Sequence, residues 1–251
     1  MEPMGVAMHA RNRASLAPSS NVLVFGAGAV GLLTAAVAKA SKAKAVVICD
    51  IQKDRVDFAV ANGFADAGFV VPMLRPETTE EKLGFSKEVA GLASNLVVGG
   101  GVLGEVDVTF ECTGVESCVQ SAIYVSYRIP NPSDPLVCCS LQIYTLTTLL
   151  KATKPAGKVM LVGMGNPILT LQMSAAALRE VDILGVFRYA NTYPDAIKML
   201  SDPNSGLPDL SKLITHRYTG MDNIPHAFAR AAQVKDEKGN LVLKVFVDMK
   251  S

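Results

Sequence analysis

The apolar residues of the chain gather in two kinds of run that take turns. NVLVF at 21–25, AVVIC at 45–49, GFVV at 68–71, VDVTFECTG at 106–114, KVMLVGMG at 158–165 and DILGVFR at 182–188 are short and rich in Val, Ile, Leu and Phe. Runs of this kind, bounded by glycines and charges, read as strands covered on both faces. Between them lie LLTAAVAKA after Gly31, KDRVDFAVAN up to Gly63, a mixed stretch from Glu80 to Ala93, and LQMSAAALRE at 171–180, whose compositions favour helix. The first thirteen residues, MEPMGVAMHARNR, fit an amphipathic helix, with Pro3 tolerated in its first turn. Strand and helix in alternation predict an α/β fold, a doubly wound parallel sheet with helices on both sides. Two stretches break the rhythm. Asn95 to Gly104 holds Gly99, Gly100 and Gly101 and reads as a flexible loop, and 125–151, with Pro130, Pro132 and Pro135, is longer than a compact connection and reads as an atypical insertion.

Composition narrows the function. A chain of 251 residues with 49% hydrophobic and 19% charged residues has a core to bury and room for one large domain or two small ones. Lys and Arg number 24 against 23 Asp and Glu, a net charge of +1, which is too little for the basic face that nucleic acid requires. The five cysteines, Cys49, Cys112, Cys118, Cys138 and Cys139, are odd in number and lack CxxC spacing, so reduced thiols in a cytoplasmic protein are expected. The uncharged stretch from Ala14 to Ala38 is interrupted by Pro18, Ser19, Ser20 and Asn21, and its apolar part, Val22 to Ala38, falls short of the roughly 20 residues a bilayer core needs. Neither a membrane span nor a signal peptide is expected.

The chemistry begins at Gly26-Ala-Gly-Ala-Val-Gly31. In GxGxxG between a strand and a helix, the first glycine permits the tight turn, the second lets a pyrophosphate approach the backbone, and the third lets the helix pack close to the sheet. The helix start then offers free N–H groups and a partial positive charge to phosphate. Asp50 closes the second strand about 20 residues on, where a carboxylate can accept the adenosine ribose hydroxyls. That carboxylate would repel a 2′-phosphate, which favours NAD over NADP, although Arg55 close behind it is of a type that can serve such a phosphate. The expected fold is therefore the dinucleotide-binding (Rossmann) version of the doubly wound sheet.

The motifs EPMGVAMHA, VLVFGAGAVGLLTAAVAKA, VVICDIQKDR, VTFECTG, GKVMLVGMG, EVDILGVFRYANTYPDAI and LITHRY, in this order, resemble the medium-chain zinc-dependent polyol dehydrogenases of the sorbitol and xylitol type. The resemblance covers nearly the whole chain apart from 125–151. It implies cofactor contacts at Gly28, Ala29 and Val30, with Asp50 and Arg55 around the adenosine ribose and Cys112 and Thr113 on the adenine side. Val162, Gly163, Met164, Val186, Phe187 and Arg188 would line the nicotinamide. It also implies that Glu2 faces the catalytic zinc and its water, and that Arg188 and Tyr189 face the hydroxyls of a small-molecule polyol.

In that family a cysteine and a His-Glu pair N-terminal to the EP motif hold the zinc, whereas this sequence has Glu2 of that motif directly after Met1. The resemblance therefore implies NAD as cofactor with the zinc ligands absent, and binding of NAD without polyol turnover. His9, His216 and His226 have no ligand spacing among themselves or to cysteine. The implied organisation is a remnant of the catalytic domain over 1–14, the dinucleotide-binding domain over 15–200, and a return to the catalytic-domain remnant over 201–251. The apolar positions of HAFARAA and LVLKVFVDM would then be left uncovered, which predicts association, as a homo-oligomer or by aggregation. A non-catalytic NAD-binding or interaction module and a truncated gene product remain alternatives to the cofactor half of an enzyme.

Overall fold

The computed structural model describes residues 1–74, 76–124 and 153–249. The segment 125–151, read above as an insertion, lies outside the described residues, as do Cys138 and Cys139. In chain order the elements are α1 (Glu2–Ala14), β1 (Asn21–Phe25), α2 (Ala29–Ala40), β2 (Ala45–Asp50), α3 (Lys53–Ala61), β3 (Ala67–Val70) and α4 (Thr79–Ser94). There follow β4 (Val97–Val98), β5 (Gly101–Val102), β6 (Val106–Glu111), α5 (Glu116–Tyr124), β7 (Thr153–Leu161), α6 (Met173–Ala177), β8 (Asp182–Gly185) and α7 (Tyr193–Ser201). The chain ends with β9 (Ile214–Thr219), α8 (Ile224–Ala231) and β10 (Lys244–Asp248).

The main sheet is six-stranded and parallel, in the order β3-β2-β1-β6-β7-β8. This is the doubly wound α/β fold that the alternation predicts. Because strand side chains alternate between faces, each strand feeds two cores. Val22 and Val24 of β1 and Val46 and Ile48 of β2 join α1 and α2 in one, while Leu23, Phe25, Val47 and Cys49 join α4 and α5 in the other. With both faces covered, the strands read as nearly continuous apolar runs. Met4, Ala7, Met8 and Ala10 of α1 are buried in the first core, so this helix is built into the sheet's packing. At its end the backbone of Ser15 turns left-handed (φ 51°) and its N–H donates to the Asn12 carbonyl, stopping the helix before β1.

The structure corrects the sequence reading in three places. Residues 95–104 hold a short antiparallel hairpin, β4 with β5, rather than a loop without structure. Gly99 (φ 60°) and Gly100 (φ 85°) make its two-residue turn, a conformation that suits glycine and matches strand twist. The helix expected over 171–180 shrinks to Met173–Ala177, with Glu180 in a left-handed conformation (φ 54°) just before the next strand. The strand expected over 182–188 stops at Gly185, and Arg188 (φ 50°) turns the chain away.

Beyond the sheet, β9 and β10 pair in parallel with α8 as their crossover. Leu207, Leu210, Leu213 and Leu243 tie this unit to the α1 and α2 core. Among the described residues no helix is long and apolar enough to cross a membrane.

Candidate functional site

In the strand order the chain reverses between β1 and β6, and a parallel sheet that does this opens a crevice at the carboxyl ends of those strands. Gly26 to Gly31 follows β1 there, Asp50 closes β2, Glu111 to Gly114 closes β6, Val162 to Gly165 follows β7, and Val186 to Tyr189 follows β8. The candidates thus share one edge in the order of the strands.

The glycine turn divides its labour as the motif predicts. Gly26 (φ 99°) reverses the chain, its N–H donating to the Cys49 carbonyl at 2.7 Å. A Cβ on Gly31 would lie 1.8 Å from the Gly26 carbonyl oxygen, so the third glycine is fixed by the close approach of helix and turn. A Cβ on Gly28 would meet nothing within 4 Å. The second glycine therefore has no reason within the chain to be bare, and the space beside it fits a ligand's phosphates. Gly28 is the N-cap of α2 and no side chain caps that helix, so the amides at its start are available to an anion.

Asp50 binds the turn directly. One carboxylate oxygen accepts the Ala27 N–H at 2.7 Å and the other the Gln52 N–H at 2.8 Å. A carboxylate has roughly four acceptor positions, so two remain for ribose hydroxyls. On the following helix Arg55 is half-buried, and its Nε is buried without a hydrogen-bond partner. A carboxylate with free acceptor positions beside a free helix start fits the ribose and phosphate end of a dinucleotide.

Across β1, Thr113 and the 162–165 loop close the crevice. The Thr113 methyl would be 2.9 Å from a Cβ on Gly26. Cys112 is held beneath, its N–H donating to the Phe25 carbonyl at 2.9 Å and its thiol bonded to Thr34 of α2. Burial pushes the Cys49 and Cys112 thiols far up and Cys118 up to about 11, so all three are inert thiols rather than nucleophiles. Val162 is buried in the core, whereas Met164 is 87% and Phe187 74% exposed. Val186 packs partly into the core and Arg188 stacks on Phe187 at 5.6 Å.

Tyr189 and Tyr193 meet α1, which begins at Glu2. The first turn of α1 lies against the 189–193 loop, where a Cβ on Gly5 would be 3.0 Å from the Tyr193 ring and 3.3 Å from the Tyr189 ring. Tyr193 stacks on Tyr189 (4.9 Å between centroids) with the hydroxyls 2.9 Å apart. The Tyr189 hydroxyl raises the Tyr193 hydroxyl's pKa, with the Glu2 carboxylate adding to it. Sequence reasoning missed Tyr193, although its i, i+4 spacing from Tyr189 at a helix start was a usable signal.

Metal ligands are a different matter. Among the described residues no three His, Cys, Asp or Glu side chains are grouped so as to hold a metal ion, and the described residues alone do not fit a zinc. His216 is instead 3.4 Å from Asp236 and 3.0 Å from the Thr215 hydroxyl.

No family model matches the sequence. Among curated proteins it is 33% identical over 249 residues, 99% of its own length, to both the L-idonate 5-dehydrogenase of Vitis vinifera and a sorbitol dehydrogenase of Arabidopsis thaliana. The chain is a homologue of the medium-chain zinc dehydrogenases. This dehydrogenase homologue spans about 55% of the length of those two relatives. Its fold is that of their solved counterparts. L-idonate 5-dehydrogenase from Escherichia coli matches with a TM-score of 0.66 at 20% identity, over 98% of this chain and 55% of the other. A Sinorhizobium meliloti dehydrogenase solved with NADP matches with a TM-score of 0.67 at 21% identity, over 98% and 57% of the two chains. An E. coli alcohol dehydrogenase solved with NADH matches with a TM-score of 0.61 at 20% identity, over 97% and 56%.

Proposed function

We propose that the chain is the NAD-holding part of a cytoplasmic polyol dehydrogenase of the sorbitol and idonate kind. One observation supports this above the rest. Gly28 stands bare beside open space at the start of an uncapped helix, and the Asp50 carboxylate is bound to the same turn through the Ala27 N–H. The helix-start amides hold the pyrophosphate, Asp50 orients the ribose through its two free acceptor positions, and Arg55, on the helix that follows Asp50, supplies positive charge at that end. When bound, the nicotinamide supplies the acceptor for a hydride from a secondary carbinol. Tyr189, stacked and hydrogen-bonded to Tyr193, and Arg188 present donors at the crevice mouth, where a sugar alcohol's hydroxyls would be recognised.

The test is a calorimetric titration of the chain with NADH and NADPH. NADH is expected to bind more tightly, and Asp50→Ala to lower the NADH to NADPH preference by removing the charge that opposes a 2′-phosphate. Equal affinities in the unsubstituted chain would overturn the NAD assignment. With the metal donors ungrouped, the chain incubated with zinc and NAD is expected not to oxidise sorbitol or xylitol. Turnover at an enzyme-like rate would show that it completes the metal site by itself or between copies.

A further inference from the structure

Glu111 is a buried polar side chain at the crevice with no part in the cofactor contacts proposed above. It closes β6 between Phe25 of β1 and Leu161 of β7 and is 1% exposed. A buried carboxylate is costly unless its oxygens are hydrogen-bonded, and these are. Oε1 accepts the Thr113 N–H at 2.7 Å and the Thr113 hydroxyl, and the Gly114 N–H reaches both Oε1 (3.1 Å) and Oε2 (3.0 Å). Every one of these donors belongs to the loop that follows the strand.

That loop touches the other walls of the crevice without slack. The Thr113 methyl fills the space at Gly26. A Cβ on Gly163 would be 2.1 Å from the Gly114 nitrogen, and one on Gly165 would be 1.6 Å from the Gly114 oxygen, so the two loops meet backbone to backbone. The main-chain carbonyl of Glu111 completes the junction, accepting the N–H groups of Val162 and Gly163 at 2.8 Å each. A shift of Thr113 and Gly114 is therefore passed to the glycine turn on one side and to the 162–165 loop on the other.

We infer that Glu111 is a positioning residue for the dinucleotide, a latch whose carboxylate fixes Thr113 and Gly114 and through them the spacing of the crevice walls. The latch rests on the dinucleotide reading above and acts without touching the cofactor. Glutamine in its place keeps the volume but turns one terminal oxygen into a donor. In either orientation that NH2 faces an N–H of the loop, because the Gly114 amide contacts both positions. A side chain that only filled space would not register the change.

The experiment measures NADH affinity of the full chain by calorimetry, well below its thermal midpoint. Glu111→Gln is expected to bind NADH about tenfold more weakly, about 1.4 kcal/mol. The amide resonances of Thr113 and Gly114 are expected to move with it, and Glu81→Gln, far along the chain on α4, should leave the affinity as it was. A folded Glu111→Gln with unaltered affinity overturns the latch. Should that variant fail to fold, Thr113→Val keeps the methyl against Gly26 and removes the hydroxyl that donates to Oε1 and also accepts the Val115 N–H at 3.0 Å. A several-fold loss there upholds the latch, and none overturns it. If the unsubstituted chain takes up no NADH, the dinucleotide reading falls and the latch with it.

Discussion

Gly28 and Gly31 stand three residues apart, yet the chain needs their missing side chains for opposite reasons. Gly31→Ala drives a Cβ into the Gly26 carbonyl oxygen, a backbone contact that no rotamer relieves. It should destabilise the fold by about 3 kcal/mol or more, at the upper end of overpacking costs, and thermal unfolding will show it. Gly28→Ala puts a Cβ into open space at an N-cap, so its stability cost stays below about 1 kcal/mol while NADH affinity falls at least about tenfold. A Gly28→Ala chain that bound NADH as before would mean that the phosphates do not lie there. The glycines and Asp50 were legible because a turn, a close approach and a strand-end carboxylate each leave a residue type at a fixed spacing. Glu111 was not, since a strand-end glutamate looks like any surface carboxylate until β6 is known to be covered on both faces. The alternation of Thr109 and Glu111 with Val108 and Phe110 was the available hint, polar groups on a face that a doubly wound sheet has no solvent to meet.

Elements announced themselves where apolar content and boundaries agreed. β1 and β2 have both, and the predicted and observed spans coincide to within a residue. The start of α4 was marked by a device the apolar pattern does not contain. Thr78 accepts the Glu81 N–H while the Glu81 carboxylate accepts the N–H groups of Glu77 and Thr78, a capping box. These bonds hold the Glu81 carboxyl below its ordinary pKa. Thr78→Ala should cost about 1 kcal/mol and lower the thermal midpoint by about 2–4 °C, read by thermal unfolding. The hairpin β4–β5 was illegible for the converse reason. Its strands are two residues each, too short for any period, and only its glycines speak, which signal a turn as readily as a loop.

At the scale of the molecule, the sheet and the β9–α8–β10 unit hold together by different forces, and acid should separate them. The sheet rests on two apolar cores. The unit carries a polar web centred on Asp236, whose carboxylate accepts the N–H groups of Lys238 (3.0 Å) and Asn240 (2.6 Å), the Asn240 side-chain amide (2.9 Å), and faces His216 at 3.4 Å. Chiefly the Asn240 side chain, with these backbone donors and His216, lowers the Asp236 pKa from 3.8 to about 2. A carboxyl whose pKa is lower folded than unfolded stabilises the fold in its ionised form. The contribution is complete above about pH 4 and is lost as pH falls toward about 2. Neighbouring Lys235 pairs with Asp54 of α3 and Arg230 with Glu237, two further links that need ionised carboxylates. Hydrogen exchange followed from pH 5 to pH 2 should therefore find the amides of β9 and β10 opening before those of β1 and β2. Asp236→Asn should open the unit at pH 5 already and flatten the acid dependence between pH 4 and 2. Simultaneous opening of both sheets in the unsubstituted chain would mean that Leu207, Leu210, Leu213 and Leu243 bind the unit to the core more strongly than its polar web binds it to itself.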